Sequence, residues 1–288
     1  MQAATQVDQT VGANPQTQAS LSRPRNVVTS KDGTAIGFSV AGNGPALILV
    51  DGAMCYRGFG PMADVAALLA PNFTVYTYDR RGRGESGDTK PYAAEREVED
   101  IEALINCAGG EAHVFGVSSG AALALEAANR GLAIKKLVLY EAPFIVDDAR
   151  SSIPDDYLAQ LNALLAADRR GDAIKLFMKL VGVPSIFIAL MAVMPAWKKL
   201  KAIAHTLPYD ITIVQDYQRG KPLPAGSWTR ATQPTLVIEG GKSPAWMRNA
   251  MRELADVLPN ANLRTLEGQT HMVKAAKVAP VLQEFFTR

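Results

Sequence analysis

One turn of the sequence combines residue types that could carry nucleophilic catalysis. Residues 113–117, "HVFGV", are apolar and β-branched, and residues 121–130, "AALALEAANR", have the composition of a helix. Between them, "GVSSG" has the pattern Gly-x-Ser-x-Gly. A serine in such a strand-to-helix turn has strained backbone angles and an exposed hydroxyl, and the glycines avoid clashes. We predict that Ser118 is a nucleophile; the alternative is a serine that only caps the helix.

The segments around this turn alternate between short apolar runs and helical patterns. Residues 46–50 are an apolar run typical of a strand buried on both faces, and residues 73–79, 135–143 and 234–240 are predicted as further strands. The alternation predicts an α/β fold, with an open, mostly parallel sheet and helices on both faces. A period-2 pattern around a Lys-Asp-Gly turn at residues 27–44 predicts an antiparallel hairpin at the sheet edge.

One long segment, residues 146–232, interrupts this alternation. It contains helical stretches such as "DDYLAQLNALLAADRRGDAIKLFMKLV", then a run rich in Met, Ile and Phe with several prolines. We interpret it as a helical lid, inserted into a core that is formed by residues 25–145 and 233–288. Residues 1–24 are rich in Gln, Thr and Ala, which predicts a mobile N-terminal tail.

Four motifs, in this order, resemble those of the α/β-hydrolase family. "LVDGAM" matches its His-Gly loop, "YDRRGRGES" its Asp-x-x-Gly-x-Gly-x-Ser loop, "FGVSSG" its nucleophile elbow, and "EGQTHM" the loop with its catalytic histidine. The resemblance covers residues 25–288 and implies the α/β-hydrolase fold. It also implies that His271 is the base that takes the Ser118 proton and returns it to the leaving group. We expect His113 at the opposite end of the sheet and His205 in the lid.

The sequence departs from the family's common pattern at the catalytic acid. Where the family usually has Gly-x-x-Asp-Pro, this chain has "GGKSP", and the hydroxyl of Ser243 cannot balance an imidazolium as a carboxylate does. Glu141 ends the strand that follows the elbow unit, which places it at the same sheet edge as Ser118. Some family branches, among them certain haloalkane dehalogenases and a zearalenone lactone hydrolase, take their acid from this position. We therefore predict Glu141 as the acid, with Glu239 as the rival and Asp147 as a weaker candidate.

Backbone N–H groups of two segments are candidates for an oxyanion hole. Ser119 begins a helix, where N–H groups lack acceptors and the dipole favours negative charge. The resemblance places the second donor in the loop after "LILV", at Ala53 or at Gly52. Asp51 stands where the family usually has histidine, and an inward carboxylate would oppose the developing charge. We expect Asp51 to bind backbone or to touch the substrate, and the sequence does not distinguish the two.

Apolar residues near the site and in the lid bear on the nature of the substrate. Met54 and Tyr56 follow Ala53 in the loop after "LILV", which we call the oxyanion loop. Trp246 lies three residues after Ser243, where the family usually has its acid. Phe187 and Met191 belong to the apolar lid segment. Deformable apolar side chains suit a pocket for a hydrophobic acyl or ring group. We predict these five as substrate contacts; for Phe187 and Met191 of the lid, packing of the lid on the body is at least as strong an interpretation.

Together these residues predict a serine hydrolase that cleaves a small hydrophobic ester or lactone through an acyl-enzyme on Ser118, without a cofactor. A carbon–carbon-bond hydrolase or a cofactor-free peroxidase would use the same serine and histidine. A degenerate hydrolase that only binds a small molecule is the alternative from a different class, and Ser243 and Asp51 are its support. Haloalkane dehalogenases and epoxide hydrolases attack with a carboxylate where this chain has Ser118, which disfavours their chemistry.

The distribution of charge argues against several partner classes. The net charge is +2 and the basic residues are scattered, which argues against nucleic acid or an anionic membrane. The apolar run at residues 176–197 contains charges and prolines, so we predict no transmembrane span. The Gly-rich loop at residues 79–86 lacks the ending of a phosphate-binding loop, and we interpret it as structural.

The remaining predictions concern metals, location and assembly. The histidines and the two cysteines, Cys55 and Cys107, are too far apart in sequence for a local metal site. Two unpaired thiols and an N-terminus without a secretory pattern predict a cytoplasmic protein. The sequence is compatible with a homodimer but does not predict one.

Overall fold

The computed structural model describes residues 26–288, so the predicted tail at residues 1–24 lies outside the described residues. Its centre is an eight-stranded sheet with the order β1-β2-β4-β3-β5-β6-β7-β8. The strands are β1 (Asn26–Thr29), β2 (Ala35–Ala41), β3 (Ala46–Val50), β4 (Thr74–Tyr78), β5 (Ala112–Val117), β6 (Ile134–Tyr140), β7 (Thr235–Gly240) and β8 (Ala261–Leu266).

The strand pairings confirm the predicted α/β sheet and its edge hairpin. The pairings among β3 to β8 are parallel, whereas β1 pairs with β2, and β2 with β4, in antiparallel fashion. The chain passes from β3 to β4 on one side and later to β5 on the other. Such a reversal opens a crevice at the carboxyl ends of the strands, where ligands of open α/β sheets bind.

Helices cover both faces of the sheet. They are α1 (Met62–Leu69), α2 (Ala94–Cys107), α3 (Ser119–Asn129), α4 (Tyr157–Ala166), α5 (Arg170–Leu180), α6 (Ser185–Ala192), α7 (Ala196–Ile203), α8 (Leu207–Val214), α9 (Ala245–Val257) and α10 (Ala275–Thr287). In β3, Leu47 and Leu49 pack with α1 and α10, whereas Ile48 and Val50 pack with α2, α3 and α9. This strand is apolar throughout because successive side chains enter two different cores.

Helices α4 to α8 lie between β6 and β7, in the segment interpreted from the sequence as a lid. Their buried apolar residues form a third cluster, separate from the two sheet cores. Asp168 has a φ of 51° and separates α4 from α5. Pro184 and Pro195 precede α6 and α7, so the apolar run at residues 176–197 is divided among three helices. Within residues 26–288, every helix is too short or too polar to cross a membrane.

Buried ion pairs attach this insertion to the sheet. Asp210 of α8 accepts hydrogen bonds from Arg80 Nη1 at 2.7 Å and from Arg83 Nη2 at 2.6 Å. Arg80 also binds both carboxylate oxygens of Glu97 in α2. Burial would raise the pKa of Asp210, but the charges of Arg83 and Arg80 outweigh it and lower that pKa. These contacts confirm the structural interpretation of the loop at residues 79–86.

Replacing Asp210 by alanine should destabilise the fold strongly, because the buried Arg83 would lose its carboxylate and the buried Arg80 would lose one of its two. Breaking a buried ion pair from one side costs about 3–5 kcal/mol. The free energy of unfolding, measured in urea at neutral pH, should fall by an amount of that order. Asp172→Ala is the matched control in the same insertion, since Asp172 forms only exposed pairs with Arg169 and Lys175. Equal effects of the two variants would contradict this role of Asp210.

Candidate active site

Ser118 lies in a strained turn between β5 and α3. Its φ is 56° and its ψ is −128°, a combination that residues with a side chain rarely adopt. A Cβ atom at Gly116 would lie 2.4 Å from the carbonyl oxygen of Gly120, and a Cβ atom at Gly120 would lie 2.4 Å from that of Val50. Neither position admits a side chain, which explains the two glycines. The turn exposes Ser118 in the wall of a cavity at the carboxyl edge of the sheet.

A continuous chain of contacts links Ser118 to a buried carboxylate. Ser118 Oγ lies 3.2 Å from His271 Nε2, and His271 Nδ1 lies 2.9 Å from Glu141 Oε2. Glu141 is fully buried, and its other oxygen accepts the N–H of Gly240 at 2.7 Å. The structure thus brings together the serine, the histidine and the glutamate that the sequence singles out.

Two local features orient this chain of contacts. Glu141 has a φ of 47°, a left-handed conformation that occurs where β6 ends and the chain turns. The hydroxyl of Tyr140 donates a 2.6 Å hydrogen bond to the carbonyl of Thr270, the residue before His271. The last residue of β6 therefore anchors the loop that carries the histidine, and the next residue contacts its ring.

The other candidate acids have different partners. Glu239 Oε1 accepts hydrogen bonds from Thr265 Oγ1 at 2.8 Å and from Arg252 Nη2 at 3.1 Å. Asp147 accepts a 2.6 Å hydrogen bond from an asparagine side chain of α9. The hydroxyl of Ser243 is buried and has no hydrogen-bond partner among the described residues. Of these side chains, none is hydrogen-bonded to the His271 ring within residues 26–288.

The predicted oxyanion donors lie around the same serine. Ala53 and Ser119 line the cavity together with Ser118. A Cβ atom at Gly52 would lie 3.0 Å from Ser118 Cβ, so this backbone approaches the elbow closely. The carbonyl of Gly52 accepts a 2.7 Å hydrogen bond from Arg83, which holds the oxyanion loop in place. The N–H of Ser119, at the start of α3, has no acceptor within the helix.

Asp51 is buried behind the oxyanion loop and is not part of the cavity wall. Its Oδ1 atom has no hydrogen-bond partner among the described residues. Burial raises the pKa of Asp51 to about 7, although the charges of Arg83 and Arg80 act in the opposite direction. The adjacent Cys55 thiol has its pKa raised to about 12, chiefly by burial. A carboxyl with a pKa near 7 that lies outside the cavity wall opposes charge on an oxyanion less than an ionised, inward-facing carboxylate would.

Asp210 reaches the site from the insertion and was not predicted as a site residue. It lines the cavity and accepts a 2.7 Å hydrogen bond from Ser119 Oγ. Arg80 Nη1 lies 3.3 Å from the same hydroxyl. The side chain next to the elbow serine is thereby connected to the ion pairs that attach the insertion. The sequence signal that could have indicated it is an acid within the apolar helix "LPYDITIV".

The cavity has a volume of about 410 Å³ and a mainly apolar wall. Phe177, Ile211 and Val214 of the insertion face Ser118 and His271 across it. Among the five predicted substrate contacts, Trp246 lines this cavity.

The other four predicted contacts lie outside the cavity wall. Met54 is buried in the apolar cluster of the insertion, and Tyr56 and Met191 pack against that cluster. Phe187 is 57% exposed on α6. Met54 and Tyr56 therefore pack the core against the insertion instead of lining the cavity. Met191 has the packing role that the sequence left open for the lid, and Phe187 lies on the solvent-exposed side of α6.

The two remaining histidines have structural surroundings. His113 is buried on β5 and packs against Phe73 and Phe286, and burial lowers its pKa to about 4. His205 Nε2 lies 3.6 Å from a carboxylate oxygen of Asp88. Neither histidine lines the cavity at Ser118.

Replacing Asp51 by asparagine should remove a pH dependence of stability. The carboxyl has a pKa of 3.8 when unperturbed and about 7 in the fold. Between these values the folded state keeps a proton that the unfolded state releases, so stability falls as pH rises. Measured from pH 5 to pH 8, the free energy of unfolding of Asp51→Asn should rise relative to that of the unmodified chain. The difference should level off above about pH 7. A difference that does not vary with pH would refute the assignment.

Known proteins resemble this chain in sequence and in fold. A sequence model of the Alpha/beta hydrolase family matches residues 42–279. An alpha/beta hydrolase from Sphaerobacter thermophilus DSM 20745 is 51% identical, with a TM-score of 0.82 over 91% of this chain and 100% of that chain. The enol-lactonase from Burkholderia xenovorans LB400 is 20% identical, with a TM-score of 0.64 over 91% of this chain and 100% of that chain, a likeness of fold alone.

A further similarity is confined to part of the chain. The uncharacterized hydrolase YraK from Bacillus subtilis (strain 168) is 37% identical over 102 residues, which are 33% of this chain and 35% of that protein. The aligned segment is thus about a third of that relative's length. The family model, in contrast, covers most of the chain. With its fold and the order of its motifs, this chain belongs to the alpha/beta hydrolase family.

Proposed function

We propose that this chain is a serine hydrolase that cleaves a small ester or lactone with a hydrophobic acyl or ring group, and that Ser118, His271 and Glu141 carry the reaction. The proposal rests on the contacts among these three side chains. Ser118 Oγ, the His271 ring and the Glu141 carboxylate are joined by contacts of 3.2 Å and 2.9 Å at an apolar cavity. These distances allow proton transfer from the hydroxyl to the ring.

Acylation follows from this geometry. As Ser118 Oγ attacks the substrate carbonyl carbon, His271 Nε2 takes the hydroxyl proton and the carbonyl π electrons move to oxygen. The N–H groups of Ala53 and Ser119 stabilise that oxyanion. When the oxyanion collapses, the bond to the leaving oxygen breaks and His271 returns the proton to it. The acyl group is then held on Ser118.

Deacylation repeats these steps with water. His271 Nε2 takes a proton from the water that attacks the acyl carbon, and it returns this proton to Ser118 Oγ as the acid departs. Glu141 accepts the Nδ1–H of His271 throughout, which keeps Nε2 free to act as base and stabilises the imidazolium. Because Glu141 is fully buried, water does not compete for this contact.

Ser243 and Asp51, the two residues that support a non-catalytic binder, are both compatible with catalysis. Ser243 lacks a carboxylate, but Glu141 already contacts the ring nitrogen where an acid is needed. Asp51 is buried behind the oxyanion loop, with a pKa raised to about 7 by burial. The cavity volume of about 410 Å³ falls within the usual range for small-molecule sites. An enol-lactonase shares the fold, which makes a lactone a suitable substrate to test.

Ser118→Ala should abolish hydrolysis of 4-nitrophenyl butyrate, since loss of such a nucleophile costs on the order of 10⁶ in kcat. A fluorophosphonate reagent should label the unmodified chain once, and the added mass should map to the peptide with Ser118. Ser119→Ala is the adjacent control; it keeps the backbone N–H and loses only the hydroxyl, which contacts Asp210 and Arg80. An inactive Ser119 variant beside an active Ser118 variant would reverse the assignment.

Glu141→Gln should lower kcat by roughly 10⁴, the loss that follows when the acid of a serine protease triad becomes an amide. The amide still has an oxygen that can accept the Gly240 N–H, so the melting temperature should change little. Glu239→Gln is the matched control, because Glu239 is equally buried and lies at the end of the neighbouring strand. Steady-state kinetics that show the larger loss for Glu239→Gln would mean that Glu141 is not the acid.

A further inference from the structure

One cation in the cavity wall lacks an acidic partner. Arg150 lies between β6 and α4 and lines the cavity together with Ser118 and His271. Its guanidinium carbon is 4.2 Å from the centre of the Trp246 ring, and its Nη2 atom donates to the carbonyl of Leu180. Within residues 26–288, Arg150 forms no ion pair. The guanidinium group therefore has donors that no protein acceptor satisfies.

The acidic groups at the cavity are balanced by protein groups. Asp210 lines the cavity, but Arg80 and Arg83 bind both of its oxygens. Glu141 faces the ring of His271. Lys179, an exposed residue of the cavity wall, like Arg150 forms no ion pair among the described residues. The unbalanced charge at the cavity is therefore positive.

The surroundings of Arg150 suit a bound anion. Burial lowers the pKa of Arg150, and no neighbouring carboxylate opposes that shift. Arg80, which is buried more completely, has its pKa raised instead, since Glu97 and Asp210 outweigh its desolvation. The contacts with the Trp246 ring and with the Leu180 carbonyl hold the Arg150 guanidinium at the cavity, and its planar fork matches the two oxygens of a carboxylate.

We propose that Arg150 binds a carboxylate of the substrate, so that the molecule cleaved is an anionic ester or lactone with an apolar body. This inference rests on the proposed function and adds the substrate class. The apolar part would contact Phe177 and Trp246, while the carboxylate would accept two hydrogen bonds from the guanidinium edge. Lys179 adds a second positive charge beside it. The carboxylate that is bound stays unchanged, and only the ester or lactone bond is hydrolysed.

A matched pair of substrates tests the proposal. Mono(4-nitrophenyl) glutarate carries a terminal carboxylate, and 4-nitrophenyl pentanoate has the same chain length without the charge. The unmodified chain should have the higher kcat/KM for the glutarate ester. Arg150→Gln should lower the ratio of the two kcat/KM values by roughly 10- to 100-fold, the usual contribution of a charge-assisted hydrogen bond. Arg150→Lys, which keeps the charge but not the fork, should retain part of the preference.

The controls separate this proposal from a loss of folding and from the proposed function. Lys175→Gln changes a cation of α5 that is paired with Asp172 and lies outside the cavity, and it should leave the ratio unchanged. Melting temperatures check that the Arg150 variants are folded. If the pentanoate ester is hydrolysed and Arg150→Gln does not change the ratio, the anionic substrate is refuted and the hydrolase stands.

A binding measurement decides the case in which neither ester is hydrolysed and the proposed function fails. Calorimetry would compare 4-phenylbutyrate with the neutral 4-phenylbutyramide on Ser118→Ala. Tighter binding of the carboxylate, lost in Ser118→Ala combined with Arg150→Gln, would support a carboxylate subsite. Equal binding of the two compounds would overturn it.

Discussion

Two guanidinium groups and one carboxylate, buried together at the carboxyl edge of the sheet, constrain the rest of the structure. Removing these charges from water is costly, and the cost is offset only where the donors and acceptors are paired. Arg83 meets this condition with Asp210, the Gly52 carbonyl and the Thr206 hydroxyl. These partners belong to α8, to the loop after β3 and to the turn before α8. These contacts therefore fix the position of the insertion relative to the oxyanion loop.

The insertion's part of the cavity wall has two sections that are held by different interactions. In one, α8 is fixed by ion pairs, and Ile211 and Val214 follow Asp210 into the cavity wall. In the other, Phe177 and Leu180 of α5 are held by apolar packing and by a contact with Arg150. The position of α8 at the cavity therefore depends on directional bonds, whereas that of α5 depends chiefly on the fit of apolar side chains.

The site residues that could be predicted from the sequence are those that directly follow a strand. Ser118 and Glu141 each follow a buried parallel strand, so the topology alone brings them to one edge, and the edge hairpin follows from period-2 patterning. The substrate contacts were less predictable, because an apolar segment does not indicate which side chain faces the cavity. Phe187 faces solvent on such a segment. Asp210 was missed because an acid within an apolar helix does not indicate which residues, distant in sequence, it pairs with.

The backbone of Ser118 has a consequence for the history of such a chain. With a φ of 56° and a ψ of −128°, this position would be occupied at the lowest conformational cost by glycine. Selection for folding alone would therefore favour glycine at residue 118, at the centre of a run that already has glycines on both sides. Under the proposed function, a serine there accepts a strained backbone in return for a nucleophilic hydroxyl, which is the usual exchange between stability and activity in proteins.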